Sequence, residues 1–84
     1  MKESEMEIMS KLNVTFRNPG DVLEFLRRVE KYPYDMDLSR GSIIVDAKSL
    51  LGIMNLGFNE VVSLKIYSEE CGELKQELQD FIAA

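Results

Sequence analysis

Apolar positions along this chain change period several times, and each change marks a boundary between elements. Over residues 5 to 14, Met6, Ile8, Leu12 and Val14 share one parity, the pattern of a strand with one buried face, interrupted by Ser10. Asn18-Pro19-Gly20-Asp21 then signals the start of a helix. The asparagine side chain can accept from a free helical N–H, proline suits the first helical position, and Asp21 follows three residues after the cap. Behind it Val22, Phe25, Leu26 and Val29 recur at i, i+3, i+4 and i+7, with Glu24, Arg27, Arg28 and Lys31 on the opposite face. That is an amphipathic helix ending before Pro33.

Tyr34 to Leu38 alternates with period two and predicts a strand with one wet face. Ser39-Arg40-Gly41 is short enough to turn the chain into a second strand, Ser42 to Val45, giving a hairpin. Ala47 to Asn55 predicts a short helix with Gly57 placed to stop it. Val62, Leu64 and Ile66 alternate with Val61, Ser63, Lys65 and Tyr67 as a fourth strand. From about Glu69, the stripe Leu74, Leu78, Phe81 and Ile82 predicts a final helix. The order is β-α-β-β-α-β-α, an α+β fold in one domain over residues 1–84. Short strands with alternate polar positions predict a four-stranded antiparallel sheet, helices on one face and water on the other.

Composition narrows the chemistry. The 84 residues hold no histidine and one cysteine, Cys71, which leaves no metal site and no intrachain disulfide to expect. Glu69, Glu70 and Glu73 lack the spacing and glycine of a calcium loop and are expected to be the acidic first turn of a helix. A net charge of −5, with Arg17, Arg27 and Arg28 as the densest basic group, argues against a nucleic-acid partner. No apolar run reaches the roughly 18 residues of a membrane span. Met1 to Glu7 is mixed in charge, unlike a signal peptide, so a cytoplasmic protein is expected. Cys71 is expected to be a small half-buried residue, and Tyr32, Tyr34 and Tyr67 to be strand and sheet-edge aromatics. The five apolar residues Leu50, Leu51, Ile53, Met54 and Leu56 exceed one face of a two-turn helix, so some must be exposed.

Val45-Asp46-Ala47-Lys48-Ser49-Leu50, followed within ten residues by Gly57 and then Val61-Val62, resembles HPr, the small phosphocarrier of the bacterial sugar phosphotransferase system. The element order agrees with that family's open-faced β-sandwich over essentially the whole chain. The departure lies at the first helix, where the family carries Gly-Leu-His-x-Arg-Pro and this chain has Phe16-Arg17-Asn18-Pro19-Gly20-Asp21. Asn18 falls at the position of the phosphorylated histidine, and Gly20 at that of the arginine. Asparagine can cap a helix but has no nucleophilic ring nitrogen. Ser49 matches the family's regulatory serine, where a phosphate would meet free N–H groups at a helix start. The family's partner-docking surface maps onto Phe16, Arg17, Leu50, Leu51 and Met54.

The resemblance therefore implies a non-enzymatic HPr-family protein without phosphohistidine chemistry or cofactor. It would act as a regulatory or protein-interaction module toward a protein partner, similar to the catabolite-repression homologue that also lacks the histidine. The alternatives are a phosphocarrier with a different acceptor, such as the Asp21 carboxylate, and an interaction module unrelated to sugar uptake.

Overall fold

Alternation along the strands decides which side of the sheet the helices take. The structure, a computed structural model, describes residues 9–83. In chain order it forms β1 (Met9–Val14), α1 (Pro19–Val29), β2 (Met36–Arg40), β3 (Ile43–Asp46), α2 (Leu50–Leu56), β4 (Val62–Tyr67) and α3 (Gly72–Glu77), with a 3-10 turn at Gln79–Phe81. The expected strand positions Met6 and Ile8 lie outside the described residues. The strands make one antiparallel sheet in the order β1-β4-β2-β3. Val14, Met36, Leu38, Val62, Leu64 and Ile66 face the helices and are buried. The other face carries Asn13, Ser63, Ser39 and Ile44 in one cross-strand row and Lys11, Lys65, Asp37 and Asp46 in the row beside it.

The helices close the buried face with Val22, Phe25, Leu26 and Val29 from α1, Ile53 and Leu56 from α2, and Leu74 from α3. At the centre, Phe25 meets Phe16 edge-on with centroids 5.0 Å apart and Phe81 at 5.7 Å, the geometry that ring quadrupoles favour. The Arg28 guanidinium lies 5.1 Å over the Phe81 ring and binds Glu24 and Asp80, so the polar face of α1 is tied to the chain after α3.

Several expectations need correction, among them that Cys71 is buried rather than half-buried and that the last helix starts at Gly72, after Glu69 and Glu70. The hairpin turns at Gly41-Ser42 rather than at Ser39-Arg40-Gly41, because Arg40 pairs with Ile43 and Gly41 supplies φ of 63°. The second helix begins at Leu50 rather than Ala47. Ala47 N–H is still bound to Met36 C=O at 3.0 Å, and the Asp46 carboxylate accepts from Lys48 N–H at 2.9 Å, so this stretch is a turn. The C-terminal stripe breaks at Leu78, and Ile82 pairs in extended conformation with Val14, which leaves it 40% exposed. Tyr32 and Tyr34 stand before β2, stacked with centroids 5.8 Å apart, rather than on a strand or sheet edge.

Candidate functional site

The entry to α1 is built locally. Asn18 is extended, with φ −161° and ψ 170°, and its Oδ1 accepts from Asp21 N–H at 2.9 Å. Asp21 Oδ2 accepts in return from both the backbone N–H and the Nε of Arg17, each at 3.0 Å. These bonds to the ionised form, from backbone first and guanidinium second, hold the Asp21 carboxyl below the usual carboxylate range. Arg17 is correspondingly raised by the same partner. Asn18 thus does what a helix start requires, and the neighbouring carboxylate is engaged by Arg17.

Phe16 stands on the other side of this cap and is only 1% exposed. It belongs to the aromatic centre of the core, which corrects its expected place on a partner surface. Arg17 points the opposite way and is largely exposed.

One exposed apolar surface lies on α2. Ser49 caps it, its Oγ accepting from Gly52 N–H at 3.2 Å. Leu51 is 78% exposed, and Leu50 and Met54 flank it at 39% and 37%, while Ile53 and Leu56 enter the core. The surplus of apolar residues is therefore resolved by splitting the helix into an inward and an outward face. Gly52 explains how so short a helix lies close to the sheet: a Cβ there would stand 2.9 Å from Val45 Cβ on β3.

Backbone contacts set the two helix starts at opposite ends of this surface. Asn59 N–H, on a residue with φ of 60°, donates to Phe16 C=O at 2.7 Å, so the chain after α2 abuts the chain before α1. Ser49 is a further helix length away, about 10 Å for seven residues. Lys48 does not line the Ser49 hydroxyl, since its ammonium donates to Tyr32 C=O at 2.7 Å. Arg40 donates to Leu56 C=O at 2.7 Å and pairs with Glu60, satisfying the end of α2 opposite its serine cap. Neither contact was legible in the sequence. The preference of asparagine for positive φ was the one signal available, at Asn59.

Among the described residues no group of histidine, cysteine, aspartate and glutamate side chains is arranged to hold a metal ion. No described helix is long and apolar enough to cross a membrane.

This sheet order with three helices on one face is the open-faced sandwich of the HPr phosphocarriers. The likeness is measurable against solved structures. HPr-C-His from Thermoanaerobacter tengcongensis superposes with a TM-score of 0.67 at 22% identity, covering 84% of this chain and 91% of that one. The phosphocarrier protein HPr from Bacillus anthracis gives a TM-score of 0.68 at 19% identity, covering 89% and 98%. No protein-family model and no curated protein matches the chain. At these identities the agreement is one of fold.

Proposed function

We propose that this chain is a divergent HPr-family protein that carries no phosphohistidine and serves as a regulatory or protein-interaction module. The observation that carries the reading is the start of α1. The position equivalent to the phosphorylated histidine is Asn18, whose side chain is bound to Asp21 N–H, in a chain with no histidine at all. An amide has no lone pair comparable to imidazole nitrogen for attack on a phosphoryl group. Asp21 is a poor substitute acceptor, because its carboxylate charge is held by Arg17.

A protein partner would bind the outward face of α2. Leu50, Leu51 and Met54 give it an apolar centre, with Arg17 as a charged neighbour. Ser49 is the candidate point of control. A phosphate on its Oγ would add charge beside Leu50 and reach the N–H of Gly52. An arginine-bearing partner would gain affinity from it, and a purely apolar one would lose affinity.

The test is affinity capture from the native host with wild-type, Ser49→Ala and Leu51→Asp proteins, alongside intact-mass analysis of the endogenous chain. Leu51→Asp should lose the partner while remaining folded. A partner retained by Leu51→Asp would remove the α2 face from the account. An endogenous chain never phosphorylated at Ser49 would leave a constitutive interaction module.

A further inference from the structure

The two edges of the sheet are not equivalent. At β1, residues Phe81 to Ala83 run alongside the end of the strand: Thr15 N–H donates to Phe81 C=O at 2.9 Å and Ala83 N–H to Asn13 C=O at 2.8 Å. Lys11 stands on the remainder of that edge, a charge that discourages pairing. The β3 edge has neither device. It contains no lysine, proline or bulge, and exposes Ile43 by 50% and Ile44 by 66%. An edge strand with β-branched apolar residues exposed on both faces is a template for another strand.

The backbone phase shows what that edge offers. Ala47 N–H bonds Met36 C=O, so the 36–47 pair is hydrogen-bonded. Alternation then makes 38–45 and 40–43 the bonded pairs of the β2–β3 ladder, and 39–44 and 37–46 the unbonded ones. Ile44 therefore turns both its N–H and its C=O outward, and Asp46 turns its N–H outward. The Asp46 C=O is already taken by Ser49 N–H at 3.0 Å.

Charge identifies the occupant. Asp46 and Asp37 lie side by side on the open face, with exposed Asp35 near them around a shallow depression that Tyr67 also borders. Tyr67 O–H donates to Asp37 at 2.9 Å, and Lys65 stands opposite Asp37 on β4. No described cation pairs with Asp46. A second copy paired antiparallel through Ile44 would set Ser42, not a cation, opposite Asp46 and leave its charge uncompensated.

We propose that the free edge of β3 docks an extended protein segment as a fifth, antiparallel strand. The segment carries an apolar residue opposite Ile44 and a basic residue two positions earlier, opposite Asp46. Main-chain bonds at Ile44 anchor it, and the Asp46–Asp37 pair selects its charge. This surface is distinct from the outward face of α2, and its test does not depend on that face.

The probe is a blocked pentapeptide, acetyl-Thr-Arg-Thr-Val-Thr-amide, titrated into the isotopically labelled full chain with amide shifts recorded. Saturable shifts centred on Ile44 and Asp46 are expected. A peptide with glutamate for arginine should bind at least fivefold more weakly, and methylation of the valine amide nitrogen should abolish the shifts. On the protein, Ile44→Pro removes the outward N–H without touching the β2 ladder. Asp46→Asn keeps the acceptor for Lys48 N–H, giving a second test should the proline variant not fold, and is expected to weaken binding at least fivefold. The proposal is overturned by no shifts at millimolar peptide, by shifts centred on Leu50, Leu51 and Met54, or by equal binding of the glutamate peptide. Concentration-dependent shifts of Ile44 in the peptide-free chain would mean that a second copy takes the edge, and would overturn it too.

Discussion

Replacing Asn18 by alanine removes one hydrogen bond and leaves almost everything else at the start of α1 in place. Its Oδ1 accepts from Asp21 N–H at 2.9 Å on the surface, and that N–H also reaches the Asn18 C=O at 3.1 Å, which alanine keeps. The cost is therefore that of an exposed cap, about 1 kcal/mol, not that of a buried orphaned donor. The Asp21 carboxylate still accepts from Arg17, which confines the loss to a single bond. A chain of 84 residues unfolds with an entropy of about 2.1 cal/mol/K per residue, so 1 kcal/mol corresponds to a melting point lowered by about 6 °C. Thermal unfolding by circular dichroism reads this directly, with Asn18→Ser as a control that keeps an acceptor and should stay within about 0.5 kcal/mol of wild type. An Asn18→Ala protein melting with the wild type would show that α1 does not depend on this cap, and would remove the structural reason for asparagine at this position.

Other consequences are equally direct. Gly52→Ala should destabilise by about 1–3 kcal/mol despite the better helix propensity of alanine, because the new Cβ meets Val45 Cβ at 2.9 Å; a denaturant midpoint equal to or above wild type would refute the close approach. The Asp21 carboxyl is lowered by bonds from Arg17, so its stabilisation is complete above the unfolded value of about 3.9 and disappears as pH falls through the lower folded value. Asp21→Asn should flatten that acid limb of stability against pH, and an unchanged limb would assign it to other carboxylates. Tyr32, whose O–H donates to Glu77 at 2.7 Å, is pushed up to about 12, so absorbance titration should find it ionising after an ordinary tyrosine. Its contribution to stability is complete below about pH 10 and is lost as pH rises through the folded value. Tyr67, whose O–H donates to Asp37, is raised as well, so Tyr32→Phe should remove one of two late-ionising tyrosines, and an undiminished late step would refute the assignment.

Features encoded by neighbouring residues were legible in the sequence, whereas those arising from distant contacts were not. Asn18, Pro19 and Asp21 announce a helix start because capping involves residues only three apart, and the observed bond is the expected one. The strand faces follow from the alternation of Leu64 and Ile66 with Lys65 and Tyr67. Phe16 continues the parity of Leu12 and Val14 just beyond β1, and its place on a docking surface came from the resemblance, not from this periodicity. The burial of Phe16 depends on Phe25 and on Phe81, which arrives from the far end of the chain. Ile82 fits the helical stripe of Leu74 and Leu78, yet pairing with Val14 draws it into extended conformation. Ser49 and the split faces of α2 lie between these cases. The excess of apolar residues showed that some must be exposed, but only packing against β3 decided that Ile53 turns inward and Leu51 outward.

Phosphoryl transfer tests most directly what stands at the start of α1. The chain is incubated with the general enzyme of the sugar phosphotransferase system and labelled phosphoenolpyruvate, beside an authentic HPr as positive control. On the proposed equivalence of Asn18 to the histidine position, and with no histidine anywhere in the 84 residues, the chain should remain unlabelled while the control takes up one acid-labile phosphoryl group. Stoichiometric, acid-labile labelling of this chain would contradict the account and return it to the phosphocarriers with a different acceptor.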